Sequence, residues 1–441
     1  MNNEMQLELF DDFEVMNTSE NVKKHTTTFK DNMSLPIHRW FRYSAGFSAE
    51  WVEDVIRKFN VNSKNDFKVF DPFVGSGTVL LASDKMNVLG VGTEAHPFVS
   101  KMTRAKLKWH KINVEKFLDV GLNVLEEARG LDDIDVFEEY NELIYKCYSK
   151  DILQQLTALK KTILKLNPQN EDSNYELVWL ALVAILRPSS SAGTAQWQYI
   201  LPNNKKSKVK VPFEAFEKQI LLMAEDIRYW QKSTPTSNSK FLQEDCRNCP
   251  SVKSDWADLV ITSPPYANNY DYADATRLEM SFFNEIKGWS DLQSIVRQYL
   301  IRSCTQQVSK EKNATFELIK DEILKPIYVE LESVCRSLDL EKEKHGGKKN
   351  YHTMIALYFL DLANVWKELR RICKDGSNVC FVIGDSAPYG IYVPVDKWLG
   401  ELALSAGFKE YYFEKVRDRN TKWKNRKHTV PLKEGYLWVK G

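Results

Sequence analysis

The chain has 441 residues, room for two or three ordinary domains or for one large domain carrying insertions. Apolar residues make up 43% of it, enough for a sizeable core, which excludes global disorder. With 61 Lys and Arg against 60 Asp and Glu there is no overall polyanion-binding charge, so any nucleic-acid face has to be a local patch.

Residues 1–35 are polar and aperiodic and read as a loose arm. Their acidic opening, MNNEMQLELFDDFE, differs from the basic-then-apolar leader of a secreted chain. Together with seven scattered cysteines it predicts a reduced, cytoplasmic protein. Ser48 then caps an amphipathic helix that places Trp51, Val52, Val55, Ile56 and Phe59 on one face. FKVFD (67–71) reads as a strand, PFVGSGT turns it into a helix running to about residue 86, and VLGVGTE (88–94) is a second strand.

From about 100 to 240 helical patterns dominate, broken by the polar loop SSSAGTAQWQYILPNNKKSKVK. The longest apolar run, LVWLALVAIL (177–186), is too short to span a bilayer and reads as a buried helix. Strands return with KFLQED (240–245) and ADLVIT (257–262). Between them Cys246 and Cys249 form a CxxC, but no second pair follows at zinc spacing, so no metal is expected. A second irregular, helix-rich stretch covers about 281–350. A helix (352–373), a strand (NVCFVIGD, 378–385), a helix (395–405) and two strands (near 409–416 and 434–439) close the chain. This alternation predicts an α/β fold with a parallel, doubly wound sheet. Its core pieces are 36–100, 240–280 and 351–441, and its insertions are 101–239 and 281–350.

Two stretches carry chemistry. In VFDPFVGSGT, Asp71 closes a strand, Gly75 and Gly77 permit a tight turn and close approach of a ligand to the backbone, and Thr78 opens a helix. That is the geometry of a nucleotide-type ligand facing a helix N-terminus. The loop is neither GxGxxG nor a phosphate loop with Gly-Lys-Ser/Thr. Glu94, at the end of the next strand, can accept from both hydroxyls of a ribose, and Asp245, at the end of a later one, from an adenine amino group. The second stretch is DLVITSPPYANNYDY (258–272), in which a strand ends in Ser263-Pro264-Pro265-Tyr266. Proline has no N–H to donate to a sheet, so the ladder stops there.

DPFVGSGT together with TSPPY resembles the amino-methylating, S-adenosylmethionine-dependent DNA methyltransferases of restriction–modification systems. The resemblance covers the sheet-forming parts, about half the chain. It implies a Rossmann-like class I fold with a mostly parallel seven-stranded sheet and helices on both faces. Phe73, Gly75, Gly77 and Thr78 match the family's cofactor loop. Glu94 matches its ribose acid, where aspartate is commoner, and Asp245 looks like its adenine contact. Phe47 and Ser48, in AGFSAEW, are similar to the segment that meets the methionine part. Ser263, Pro264, Pro265 and Tyr266 match its catalytic tetrapeptide. Serine at the first position leans toward N4 of cytosine, with N6 of adenine as the alternative. RNA or protein-glutamine methyltransferases also use Pro-Pro-Tyr, and a binding subunit without catalysis is the non-enzymatic alternative.

The tetrapeptide suits such chemistry. An exocyclic amine is a poor nucleophile because its lone pair is conjugated with the ring. Acceptors aimed at its two hydrogens free that lone pair, and the Ser263 hydroxyl and Pro264 carbonyl are candidates. Proline fixes φ, so the carbonyl is set before substrate arrives. Tyr266 offers a face for an extruded base, which helps offset unpairing. The following residues, Asn268, Asn269, Tyr270, Asp271, Tyr272 and Arg277, read as a loop over the base pocket, with Arg277 toward a phosphate.

Double-stranded DNA would meet two basic runs. One is Lys205, Lys206, Lys208 and Lys210. The other is Lys415, Arg417, Arg419, Lys422, Lys424, Arg426 and Lys427, with Trp423 inside it. The first insertion, with Gln196, Trp197 and Gln198, is the candidate reader of target sequence, and the second insertion is its rival. The class implies a cognate restriction or phage-defence nuclease as partner and no membrane.

Overall fold

The computed structural model describes residues 31–43, 46–62, 66–131, 134–136, 138–167, 172–195, 198–419 and 430–441. Its strands, in chain order, are β1 (Lys68–Asp71), β2 (Leu89–Thr93), β3 (Ala192–Thr194), β4 (Ile200–Lys205), β5 (Ser239–Leu242), β6 (Ala257–Thr262), β7 (Cys373–Gly384), β8 (Glu410–Arg419) and β9 (Leu432–Lys440). Seven of them form one sheet in the order β5-β2-β1-β6-β7-β9-β8. The pairs from β5 to β7 are parallel, and β9 runs antiparallel between β7 and β8. This is the expected Rossmann-like, mostly parallel sheet. The chain leaves β1 toward β2 on one side and later returns to β6 on the other. The carboxyl ends of β1 and β6 therefore flank the switch point where such sheets leave a crevice.

The central strands β1 and β6 are buried on both faces and need no apolar alternation to find their place, whereas the edge strand β8 is largely exposed along its second half. Val69, Leu259, Ile261, Cys380, Val382 and Trp438 pack on one side, against α1 (Ala49–Phe59) and α2 (Thr78–Lys85). Phe70, Val260, Val379, Phe381, Ile383 and Leu437 pack on the other. There they meet helices of the second insertion and of the last core segment. Trp366 lies flat on Phe381 with ring centroids 4.4 Å apart.

The first insertion contributes α3 (Pro97–Lys106), α4 (Val114–Arg129), α5 (Glu142–Cys147), α6 (Lys150–Leu166), α7 (Ser173–Ser189) and α8 (Pro212–Ser233). They share one apolar cluster with Leu80 and Leu81 of α2, in which Leu177, Val178, Leu180, Ala181, Leu182 and Leu186 of α7 are wholly buried. Among the described residues no helix is long and apolar enough to cross a membrane. α9 (Arg277–Phe282) leads into the second insertion, which holds α10 (Asp291–Ile295), α11 (Thr315–Leu318) and α12 (Tyr328–Lys344). α13 (Tyr351–Ile372) and α14 (Val395–Ser405) complete the core.

Two sequence expectations change. Residues 1–30 lie outside the described residues, but the last five of the stretch read as an arm are anchored. Asn32 is buried, its amide donating to the Phe47 carbonyl at 2.9 Å and its Oδ1 accepting from Ala49 N–H at 2.8 Å. The polar loop after α7 contains an antiparallel hairpin, β3–β4, with a bulge between Ala192 and Gly193. Its strands carry almost no apolar alternation. Gly193 lets the partner come close, since a Cβ there would sit 3.0 Å from the Asn204 carbonyl oxygen.

Candidate active site

The loop after β1 is held from several sides. Phe73 N–H donates to Asp71 Oδ1 at 2.9 Å, Val74 N–H to the Thr93 carbonyl at 3.1 Å, and Gly77 N–H to the Val74 carbonyl at 2.9 Å. Gly75 and Gly77 have φ of +51° and +89°, the left-handed region that favours glycine. Thr103 of α3 donates its hydroxyl to the Gly75 carbonyl at 2.5 Å. The buried Lys106 ammonium bridges the carbonyls of Ser76 and His38, at 3.4 and 3.3 Å. Burial with no carboxylate partner pulls its pKa down to about 7.

Glu94 follows β2 and reaches back over the loop. One carboxylate oxygen accepts from Gly75 N–H at 3.0 Å and the other from His96 N–H at 2.9 Å. Burial raises its pKa, against those two backbone donors. His96 caps α3, lines the cleft and is held neutral by burial, its pKa lowered to about 3.

At the carboxyl end of β6, Thr262 donates its hydroxyl to Asp71 Oδ1 at 2.6 Å, so the glycine loop after β1 and the tetrapeptide share one clamp. Ser263 donates its hydroxyl to the Val382 carbonyl of β7 at 3.2 Å. With its proton so used, the oxygen presents lone pairs. Tyr266 N–H donates to the Tyr272 hydroxyl at 3.3 Å, and the Tyr272 ring meets Tyr270 edge-on at 4.5 Å. Tyr199, from the first insertion, tilts against Tyr270 at 5.2 Å and accepts at its hydroxyl from Asp271 N–H at 2.6 Å.

One cleft, with about 760 Å³ of space between atoms and partly open to solvent, joins these elements. The β1 loop lines it with Phe73, Val74, Gly75 and Ser76, followed by Thr78; β2 lines it through Glu94 and His96. Ser263, Pro265 and Tyr272 line it from the β6 side, and Tyr43 and Phe47 from the segment before α1. The predicted residues Phe47, Phe73, Gly75, Thr78, Glu94, Ser263 and Pro265 thus come together.

Others in the predicted set lie outside the lining. Ser48 is buried and caps α1, accepting from Trp51 N–H at 3.4 Å. Gly77 caps α2, Asp71 closes β1 beneath the loop, and Pro264 is buried. One face of Tyr266 is covered by the Arg419 guanidinium, 5.3 Å from the ring centroid. Asp245 does not line the cleft. Its carboxylate is forked by Arg247, with Nη2 2.5 Å from Oδ2 and Nε 2.9 Å from Oδ1, and its neighbour Cys246 faces the space instead.

Several cations read as DNA contacts also have protein partners. Arg417 pairs with Glu434 at 2.7 Å, and Arg419 lies 3.6 Å from the same carboxylate while donating to the Asp385 carbonyl at 3.1 Å. Arg277 pairs with Asp274 at 2.9 Å. Lys205 donates to the Lys146 carbonyl at 2.7 Å, and Lys206 to the Arg187 carbonyl at 2.5 Å. Lys208 and Lys210 are exposed. Gln196, Trp197, Lys422, Trp423, Lys424, Arg426 and Lys427 lie outside the described residues. Cys246 and Cys249 are buried, as are the other five cysteines, and all seven are free thiols.

Sequence reasoning missed Tyr43, Cys246 and the segment Tyr299–Leu300–Ile301, all of which line the cleft. Tyr43 was within reach, four residues before Phe47. The Tyr299 segment carries no local signal.

Comparison with known proteins gives the chain's relatives. It is 26% identical over 444 aligned residues to the type II methyltransferase M.BsoBI of Geobacillus stearothermophilus, spanning 92% of this chain and 85% of that one. It is 26% identical to the type II methyltransferase M.AvaI of a Nostoc species, over 89% of this chain and 83% of that one. A shorter match, 29% identical over 147 residues and 32% of this chain, is to the type II methyltransferase M.MjaII of Methanocaldococcus jannaschii, of which it covers 26%. No family model matches.

Proposed function

Starting from its homology with type II methyltransferases, which runs through most of the chain, we propose that the protein transfers a methyl group from S-adenosylmethionine to the N4 amino group of cytosine at a specific site in double-stranded DNA, after the base is flipped out. The observation that carries this reading is the shared cleft: Ser263 and Pro265 open onto the same space as Phe73, Gly75 and Glu94.

The residues fit that donor. Gly75 leaves room under the Tyr43 ring, since a Cβ would stand 3.0 Å from its Cε1. The Glu94 oxygens, each holding one backbone N–H, keep lone pairs for ribose hydroxyls. The donor supplies a sulfonium-activated methyl. The chain supplies placement and acceptors. The Ser263 oxygen and the Pro264 carbonyl accept the two amine hydrogens, favour a tetrahedral nitrogen and so release its lone pair for attack. The product proton leaves to water, so no poised base is required.

Serine in the first position of the tetrapeptide supports cytosine over adenine. The aromatic group Tyr199, Tyr270 and Tyr272 ties the first insertion to the loop after the tetrapeptide, which supports that insertion as the reader of target sequence. The reading places the enzyme beside a restriction or phage-defence nuclease whose site it protects. Mass spectrometry of nucleosides from treated plasmid tests it. N4-methylcytosine is expected. N6-methyladenine overturns the cytosine assignment, and label in tRNA or protein but not in DNA overturns the substrate class.

A further inference from the structure

The wall of the cleft formed by Tyr299, Leu300 and Ile301 belongs to the second insertion and is pinned at both ends. On one side Arg297 is buried and pairs with Asp271, in the loop after the tetrapeptide, at 2.6 Å. The exposed Trp289 lies 4.1 Å over that guanidinium. On the other side Arg302 holds Asp361 of α13 through Nη2 at 2.6 Å and Nε at 2.9 Å. Arg247 reaches the same Asp361 at 3.0 Å and donates to the Tyr299 carbonyl at 3.3 Å. Gln307 closes the segment from beneath, donating to the carbonyls of Arg297 and Ile301 at 3.3 and 3.1 Å.

The strand order fixes which end of the cleft this wall serves. The crevice runs along the carboxyl edge of the sheet, from Cys246 beyond β5, past Glu94 and the β1 loop, to Ser263 beyond β6. Transfer at Ser263 requires the donor's sulfur at that end, so the group farthest from sulfur lies at the Cys246 end. Arg247, next to Cys246, bonds Tyr299, and Ile301 packs in the same apolar cluster as Cys246. That end is therefore apolar and aromatic, and the one acid expected there, Asp245, is occupied by Arg247.

We propose that Tyr299, Leu300 and Ile301 form the roof over the adenine ring of the methyl donor, and that Asp245 acts as a positioning residue, through Arg247, rather than as a contact to the adenine amine. The second insertion is then a cofactor-site element tied to the target loop by Arg297–Asp271. This rests on the donor proposed above, and deepens it.

Calorimetry with S-adenosylhomocysteine and with 5′-methylthioadenosine, which lacks the amino-acid half, separates the possibilities. Tyr299 is 48% exposed, so Tyr299→Ala leaves folding intact, and unchanged thermal unfolding verifies it. Tyr299→Ala and the cleft-filling Leu300→Trp should each weaken both ligands by about tenfold or more and by similar factors, and Tyr299→Phe should bind as the unaltered protein does. Unchanged affinity in both variants, or loss of S-adenosylhomocysteine with 5′-methylthioadenosine retained, overturns the roof while leaving the donor in place. If the unaltered protein binds neither compound, the donor itself is overturned and the roof with it.

Discussion

Thr262 and Asp71 join the two halves of the site: the hydroxyl at the end of β6 donates at 2.6 Å to a carboxylate at the end of β1, 191 residues away in sequence. The same Oδ1 accepts from Phe73 N–H at 2.9 Å, so one oxygen sets both the glycine loop after β1 and the start of the tetrapeptide. Burial raises the pKa of Asp71 from 3.8 to about 7, with the Thr262 and Phe73 hydrogen bonds opposing the rise. Between those values the folded state keeps a proton that the unfolded chain releases. The stability this contributes is full below about pH 4 and is lost as pH climbs through 7. Asp71→Asn keeps the accepting oxygen and cannot ionise. Relative to the unaltered protein it should gain stability between pH 5 and pH 8, read as urea midpoints, and a relative loss over that range contradicts the assignment.

Ser263 has its proton committed to the Val382 carbonyl. On the proposed reading, Ser263→Ala removes an acceptor for the target amine while sparing the loop proposed to hold the donor. Turnover should fall by about 10²–10³, the usual cost of losing one preorganised polar contact to the transition state. The S-adenosylhomocysteine dissociation constant should stay within about threefold. Equal losses in turnover and binding would mean that the hydroxyl serves the cofactor.

Gly75 lies at φ +51° with Tyr43 immediately above it. Gly75→Ala should cost about 1–2 kcal/mol from backbone strain and should weaken donor binding, since the Tyr43 ring must move. Gly130, at the end of α4 with φ −79°, has only ordinary contacts for an added Cβ, the nearest at 3.5 Å. Gly130→Ala should be neutral or stabilising by about 0.5 kcal/mol. Chemical denaturation of the two variants gives the comparison.

Asp226 of α8 anchors the segment that leads to Tyr43 and Phe47. It accepts from Ile37 N–H at 3.0 Å, from Trp40 Nε1 at 2.9 Å and from both sides of the Arg39 guanidinium. Asp226→Ala leaves the Ile37 and Trp40 donors unpaired in the interior and removes the partner of the more exposed Arg39, at a cost of about 2–4 kcal/mol. Limited proteolysis should cut first within residues 31–43, and donor affinity should fall with it. Cleavage elsewhere, with this segment protected, contradicts the proposed role of this cleft wall in donor binding.

The middle of the sheet was legible because its central strands are buried on both faces: ADLVIT reads as a strand over 257–262 and β6 spans Ala257–Thr262. The same physics hid the hairpin β3–β4, whose short polar strands are set by backbone pairing and a bulge. Within the site, residues next to a glycine turn or a strand end could be named, because a ligand at a carboxyl edge needs them there. Partners brought in from a distance could not. Asp245 reads as the end of a strand, as an adenine contact should, but β5 stops at Leu242 and Arg247, braced by Asp361, pairs with the carboxylate. Arg417 and Arg419 count as a basic run along the chain, but the β8–β9 register sets Glu434 opposite Arg417. Tyr299, Leu300 and Ile301 sit in an insertion with no periodicity to distinguish them, and only the folded chain carries them to the cleft.

The central claim is that a methyl carbon waits between the glycine-lined loop and the Ser263 oxygen. A crystal structure with sinefungin, whose amine stands where the transferable methyl would be, tests it most directly. That amine should lie within about 5 Å of Ser263 Oγ, with room for a target nitrogen at a near-attack distance of about 3–3.5 Å. A ligand seated in the cleft with its amino-acid half toward Cys246 and its amine remote from Ser263 would contradict the account.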